Sequence, residues 1–212
     1  MEIDAKLVAT LRERTGAGIM DAKTALVETQ GDVAAAADLL RTKGVLKAAK
    51  KSERATGEGL VYSYIHGGGK IGVLLELQCE TDFVARTDAF RDLAHQLAMH
   101  IAAADPKYLD LAGIPTADAE HEKNLVAETL RAEGKPEAML EKILEGKMSK
   151  FYAENVLLKQ PFVMDEEKTI EGLLAQAVAT IGENMRLTRF ARFNIKGGMT
   201  ACGVPPVEAT QV

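Results

Sequence analysis

The stretch at residues 79–86 most limits what this chain can fold into, because the hydrophobic period changes there. Upstream, apolar residues occupy every second position from 71 to 79, which is typical of a strand with one buried face. Downstream, apolar residues recur at helical spacing over 90–104. The stretch is therefore a corner between a strand and a helix. It places Phe83 beside Asp82 where an ordinary turn uses Gly, Asn or Ser.

Bulk composition agrees with a folded protein and disfavours several other classes. With 212 residues, of which 47% are hydrophobic, the chain can form one or two domains with a real core. Its apolar runs fall short of the roughly 20 residues that a membrane span needs. The N-terminus lacks the basic and apolar regions of a signal peptide, so we expect a cytoplasmic protein. A formal charge of −5 argues against binding nucleic acid through net charge.

Residues 1–42 predict three short helices. The first carries an apolar stripe that ends at Leu11, and the Gly-containing run at 15–18 breaks it. The second helix stops at Gly31, and Asp32 is placed to cap the third. A bundle of this size has a thin core, which favours a binding module over a catalytic one.

Residues 43–56 predict a basic helical linker, with Lys43, Lys47 and Lys51 on one face. Such a row is either a solvated face or a patch that steers the chain toward an acidic partner. The sequence does not decide between them. Binding of RNA through this row would depend steeply on salt, and the acidic balance of the chain disfavours it.

Residues 57–196 predict an α+β core. Strands at 60–65 and 71–79 flank a Gly-rich hairpin turn, and a third strand at 186–195 completes a three-stranded antiparallel sheet. Helices after Phe83 and over 170–181 are expected to lie against this sheet. On the third strand, the residues predicted to share one face are Leu187, Ala191, Phe193 and Ile195.

The rest of the core region predicts a helical hairpin inserted at about 116–160. Beyond it, residues 197–212 are predicted to form a loose C-terminal tail. A minimal sheet with one uncovered face is unstable alone, and self-association is the simplest remedy.

Local patterns that suggest an enzyme are incomplete. The glycines before Lys70 lack the Ser or Thr and the helix of a phosphate-binding loop, because Ile71 opens a strand. The His66-Gly-Gly-Gly run would need a Gly-x-Ser-x-Gly nucleophile, which the sequence does not contain. His95 and His100 are five residues apart on a helix and point to different faces, so they do not form a metal pair. We therefore predict a chain that is not an enzyme and holds no cofactor or metal.

Two signatures in the right order resemble bacterial elongation factor Ts in its short, single-core form. The corner Thr81-Asp82-Phe83-Val84 resembles that family's Thr-Asp-Phe-Val corner, and residues 11–23 resemble its N-terminal signature. With residues 47–51 and 160–163, the resemblance covers nearly the whole chain. It implies a three-helix bundle of the ubiquitin-associated type and a guanine-nucleotide exchange factor for elongation factor Tu, in its GDP-bound and nucleotide-free states.

The resemblance also implies roles for individual residues. Phe83 would be a wedge that enters the nucleotide domain of the partner and disturbs its Mg²⁺ site, with Asp82 at the same interface. The other positions that match partner-contacting residues are Arg12, Ile19, Met20, Thr81, Val84 and His66, the last acting from either subunit of a dimer. The residues alone leave blander alternatives: Phe83 in the core, Thr81 or Asp82 as a helix N-cap, and Met20 as a core filler.

Longer members of the family contain two related core halves, and this chain contains one. We therefore expect a homodimer that rebuilds the pair. The alternative function is a non-catalytic adaptor with a dimerising core, which would bind its partner tightly without speeding nucleotide release.

Overall fold

The structure is a computed structural model that describes residues 3–134 and 136–203, and its architecture is α+β as predicted. The helices are α1 (Ala5–Thr15), α2 (Ile19–Glu28), α3 (Val33–Lys51), α4 (Asp82–Ala85), α5 (Asp88–Ala104), α6 (Thr116–Ala132), α7 (Glu137–Asn155) and α8 (Ile170–Ile181). The strands are β1 (Glu58–His66), β2 (Ile71–Cys79), β3 (Pro161–Phe162), β4 (Asp165–Thr169), β5 (Met185–Asn194) and β6 (Gly198–Cys202). Among the residues described, no helix is long and apolar enough to cross a membrane.

The chain divides into two compact units, each built from several segments of the sequence. The first unit combines the chain up to Leu60 with Gln78–Leu93 and Gly172–Arg186. The second combines Val61–Leu77, Ala94–Glu171 and the described residues from Leu187 onward. The corner at 79–86 therefore belongs to the same unit as the N-terminal helices, although the sequence separates them by a hairpin.

The N-terminal helices form around a small apolar core, as their spacing predicts. Leu11, Ala22, Ala25, Leu26 and Ala36 are almost completely buried in it. α1 ends because Gly16 takes a left-handed conformation at φ +67° and donates its N–H to the carbonyl of Arg12. α3 begins at Asp32 as predicted, because its carboxylate accepts hydrogen bonds from the N–H groups of Ala34 and Ala35 at 2.8 and 3.0 Å.

α3 continues to Lys51, so the boundary predicted between residues 42 and 43 falls inside a helix. Gly44 lies in the middle of α3 and is buried against α8. A Cβ on Gly44 would lie 3.5 Å from the Cβ of Ala179 on that helix. Gly44 therefore lies where α3 and α8 pack directly against each other.

The lysine row of α3 is used inside the first unit. Lys43 bonds both carboxylate oxygens of Glu28 at 2.7 and 2.8 Å, and Lys47 bonds Asp21 at 2.9 Å. Lys51 donates to the backbone carbonyl of Gly182, just after α8. The row is therefore neither a wholly solvated face nor an unpaired patch, because each ammonium group has an acidic or carbonyl acceptor.

The main sheet has four strands in the order β1-β2-β5-β6, so the prediction of three strands was wrong. The β1–β2 hairpin lies where it was predicted, and three successive glycines in its turn have positive φ values of 62°, 67° and 88°. The missed strand is β6, which pairs antiparallel with β5 over Asn194↔Gly198 to Phe190↔Cys202.

β6 also corrects the prediction of a loose tail from residue 197. Gly198, at φ +80°, lets the chain reverse directly after β5, and the side chain of Asn194 accepts the N–H of Lys196 at 3.0 Å to close the turn. Gly197 and Gly198 therefore form a turn between two strands and do not begin a loose tail. Residues 204–212, which include Pro205-Pro206, lie outside the described residues.

The predicted common face of β5 was also wrong. Leu187 is buried, but Phe193 and Ile195 are 54% and 78% exposed. The buried positions change from odd to even between Leu187 and Phe190, as an irregular strand produces. Arg192 turns inward because its guanidinium donates to the carbonyl of Ala102 at 3.3 and 3.1 Å and pairs with Asp105 at 2.9 Å.

In the second unit, α6 and α7 pack against each other as the predicted helical hairpin, and β3 pairs with β4 just after it. His100 of α5 is fully buried there and bonds Gln160 at 2.9 Å through Nε2. Its Nδ1 accepts the N–H of Val163 at 3.3 Å. The Gln160–Val163 segment of the sequence thus closes over a buried histidine.

Candidate partner-binding site

The corner after β2 presents an aromatic ring to solvent. Phe83 lies in the four-residue helix α4 and is 81% exposed, the largest exposure among the large apolar side chains described. The alternative that Phe83 is a core residue is therefore wrong. The inward positions of this region are taken instead by Cys79, Ala85 and Phe90. An exposed aromatic ring is available to a partner, and aromatic residues are enriched in protein interfaces.

Thr81 is the N-cap of α4. Its hydroxyl oxygen accepts the N–H of Val84 at 3.5 Å, and its backbone is extended at φ −129° and ψ 153°. Of the two N-cap candidates that the sequence offered, the structure selects Thr81. Asp82 is the first residue of α4, and its carboxylate pairs with Arg86 at 2.8 Å, one turn on. Val84 is half-buried.

Glu183 holds the base of the corner. One of its carboxylate oxygens accepts the backbone N–H groups of Glu80 and Thr81 at 3.1 and 3.0 Å. The other accepts the hydroxyl of Thr81 at 2.6 Å. Three hydrogen bonds to one ionised group fix the backbone two residues before Phe83.

The N-terminal bundle presents a second apolar surface at the start of α2. Ile19 is 58% and Met20 is 72% exposed, because Ala22, Ala25 and Leu26 occupy the buried side of the helix. The alternative that Met20 fills the core is therefore wrong.

Arg12 is exposed beside this surface and has a local partner. Its Nε donates to the carbonyl of Ala17 at 3.2 Å, across the turn between α1 and α2. The guanidinium therefore stabilises the turn that leads into Ile19.

His66 lies in the second unit, at the end of β1. It is exposed, and its Nδ1 bonds the hydroxyl of Tyr64 at 2.9 Å. Tyr62 makes a similar bond to Nδ1 of His95 at 3.0 Å. The other seven predicted site residues, Arg12, Ile19, Met20, Thr81, Asp82, Phe83 and Val84, lie together in the first unit.

Comparison with known proteins places this chain in a family. A family model described as "Elongation factor TS" matches residues 21–177. The chain belongs to the elongation factor Ts family. It is 53% identical over 195 residues to the elongation factor Ts of Fervidobacterium nodosum, covering 92% of this chain and 99% of that protein. It is 50% identical over 193 residues to that of Thermosipho melanesiensis, covering 91% and 98%.

Membership in the elongation factor Ts family makes the chain a translation elongation factor, and it agrees with the resemblance of the corner and of the N-terminal signature. The high coverage of both chains shows that these relatives have a similar length. The resemblance to the short form of the family is therefore confirmed.

Glu183 also belongs to the corner, and the sequence did not predict it. It is about a hundred residues beyond Thr81, so no local pattern joins them. The available signal was the run Gly182-Glu183-Asn184 between the end of α8 and the start of β5, where a plain turn would not need a charged residue. In this member of the elongation factor Ts family, that turn is part of the corner.

Proposed function

We propose that this chain is the guanine-nucleotide exchange factor of elongation factor Tu and acts in the cytoplasm. It would bind Tu in its GDP-bound and nucleotide-free states, without making or breaking a covalent bond. The observation that carries this proposal is Phe83, 81% exposed on a corner whose base is fixed by Glu183. An aromatic ring presented outside the protein's own core is suited to burial in another protein.

Exchange by binding sets an energetic requirement. A factor that binds the nucleotide-free partner more tightly must weaken nucleotide binding by the same ratio. A thousandfold effect needs about 4 kcal/mol of differential contacts. One buried Phe side chain supplies about 1.5–3 kcal/mol, so Phe83 needs a second anchor.

The second anchor in this proposal is the bundle, acting as a partner-binding domain of the ubiquitin-associated type. Met20 and Ile19 are 72% and 58% exposed, and their burial on the partner adds apolar transfer free energy to that of Phe83. Arg12 lies beside them, where a guanidinium can bond a carboxylate or a carbonyl of the partner.

Phe83 would act on the metal of the partner rather than on GDP itself. Mg²⁺ demands near-ideal octahedral geometry, so a small displacement of its ligands weakens its hold on the nucleotide. Asp82 is next to the ring and is held by Arg86 at 2.8 Å, which orients its carboxylate for the interface. Thr81 and Val84 complete the contact surface of the corner.

The test is stopped-flow release of a fluorescent GDP from elongation factor Tu. We expect strong acceleration by the native chain. Phe83→Ala should lower the rate by about 10- to 150-fold, which is the loss of one buried Phe. The matched control is Met164→Ala, which removes another large side chain that is 65% exposed.

Acceleration that survives Phe83→Ala would keep the function but move the mechanism to the bundle. No acceleration by the native chain would refute exchange and leave a binding adaptor.

We further infer that the chain acts as a homodimer through the outer face of its main sheet. Cδ1 of Ile65 lies 3.3 Å from where a Cβ on Gly72 would be, so Ile65 covers Gly72 on this face. Phe193 pairs across strands with Met199, and both are more than half exposed. Stable interfaces bury about 800 Å² on each partner, which an apolar sheet face can supply.

In that dimer, the His66 that contacts elongation factor Tu would belong either to the subunit whose Phe83 is engaged or to its dimer mate. The dimer is tested by light scattering at low micromolar concentration, where the mass of a monomer would rule it out.

A further inference from the structure

A network of polar contacts joins the corner to the end of α3, and it centres on the two residues after Gly182. Glu183 accepts the N–H groups of Glu80 and Thr81 and the hydroxyl of Thr81, as described above. Asn184 is only 3% exposed, and its backbone N–H donates to the carboxylate of Glu80 at 2.6 Å. Glu183 therefore holds Glu80 and Thr81 at the base of the corner, and Asn184 holds Glu80 as well.

The side chain of Asn184 extends the network toward the bundle. Its amide donates to the carbonyls of Ser52 and Arg54 at 3.3 and 2.7 Å, directly after α3 ends. Arg54 in turn approaches the carboxylate of Glu80 to 3.5 Å. The corner, the turn after α8 and the end of α3 thus form one closed set of contacts within the first unit.

α3 carries this connection to the other apolar surface. Lys51 bonds the carbonyl of Gly182 at one end of the helix. One turn earlier in α3, Lys47 bonds Asp21, the residue that follows Met20 in α2. The last turns of α3 therefore contact both the turn after α8 and the helix that carries Met20.

An exposed ring is not oriented by packing. Phe83 is 81% exposed, and the helix that carries it has four residues, too few to be stable alone. The place from which the ring extends is therefore set by the backbone at Glu80 and Thr81, which is where Glu183 bonds.

We propose that Glu183 is a positioning residue for nucleotide exchange, which fixes the corner so that Phe83 and Met20 engage elongation factor Tu together. This inference rests on the proposed exchange function and deepens it. Glu183 acts through the backbone of the corner and needs no contact with the partner. A contact misplaced by about 1 Å can lower a rate 100-fold, so the loss of these three hydrogen bonds should be visible in the rate of exchange.

The test is a double-mutant cycle in the GDP-release assay, with the rate measured against exchange-factor concentration. Glu183→Ala should lower the maximal rate by about tenfold or more in the native background. In the Phe83→Ala background the same change should lower it by less than about twofold, because coupled residues are not additive. Asp38→Ala is the control, since it removes an exposed carboxylate paired with Arg41 on α3.

Glu183→Gln should restore most of the rate. Its amide oxygen can accept the two backbone N–H groups, and its NH₂ can donate to the hydroxyl oxygen of Thr81. Thr81→Val keeps the shape of the side chain and removes the hydroxyl, which donates to Glu183 and also caps α4 by accepting the N–H of Val84. If Glu183→Ala fails to fold, this variant tests the Glu183 contact together with the cap, with an expected loss of about three- to fivefold.

Equal losses from Glu183→Ala in both backgrounds would overturn the proposal and leave a role in stability alone. An unchanged maximal rate in Glu183→Ala or in Thr81→Val would overturn it as well. Failure of the native chain to accelerate release would instead refute the exchange function, so the two failures are distinguishable.

Discussion

Replacing Gln160 with Ala should destabilise the second unit substantially. Gln160 is 3% exposed and makes contacts on both sides of its amide. Its NH₂ donates to the carbonyl of Glu154 at 2.8 Å and to that of Ala104 at 3.5 Å, which leaves its oxygen facing His100. His100 must then donate from Nε2, because Nδ1 accepts the N–H of Val163.

The expected magnitude follows from what the substitution leaves unpaired. Gln160→Ala strands the buried Nε2–H of His100, which costs about 1–3 kcal/mol, and it removes two donors to backbone carbonyls. We expect a loss of about 2–4 kcal/mol in the free energy of unfolding, a large part of the 5–15 kcal/mol that is typical of a domain.

Urea unfolding followed by far-UV circular dichroism measures this loss. Gln160→Leu separates the cost of an empty space from the cost of an unpaired donor, because Leu fills the space and still leaves His100 without its acceptor. The matched control is Gln176→Ala, which removes one hydrogen bond, 2.8 Å long, to the carbonyl of Thr15. A change below about 0.5 kcal/mol for Gln160→Ala, as at an ordinary surface site, would refute the reasoning.

Two further predictions concern pH and association. Burial lowers the pKa of His100 below its usual 6.5, so the unfolded chain binds a proton that the folded chain resists. The stabilisation from neutral, buried His100 is complete above pH 6.5 and is lost as the pH falls toward the lowered pKa. Urea midpoints measured over that range should therefore decrease with pH, and they should decrease less in His100→Asn. Phe193→Asp on the outer sheet face should convert the proposed dimer to a monomer in light scattering, while changing the stability of the monomer by only about 0.5 kcal/mol. A dimer that persists in this variant would place the interface elsewhere.

Local sequence signals predicted the elements whose causes are local. The cap at Asp32, the left-handed glycine at 16 and the hairpin turn after His66 each depend on a few neighbouring residues, and the structure has all three. Helical spacing likewise placed α5, with Phe90 and Ile101 fully buried.

The features that the sequence did not predict depend on contacts between distant residues. Gly44 lies beside Ala179 of another helix, and Arg192 is held inward by Ala102 and Asp105, which are about 90 residues away in the chain. The candidate site follows the same division. Phe83 could be singled out from its neighbours, whereas Glu183 could not.

The thiol at the end of β2 gives the corner a chemical consequence. Cys79 is fully buried and donates to the carbonyl of Thr81 at 3.2 Å. Burial, and then the nearby charge of Glu183, raise its thiol pKa. Burial also raises the pKa of Cys202 to about 11. Because Cys79 is buried as well as weakly ionised, we expect alkylating reagents to reach it when the corner opens, so its modification would report that opening.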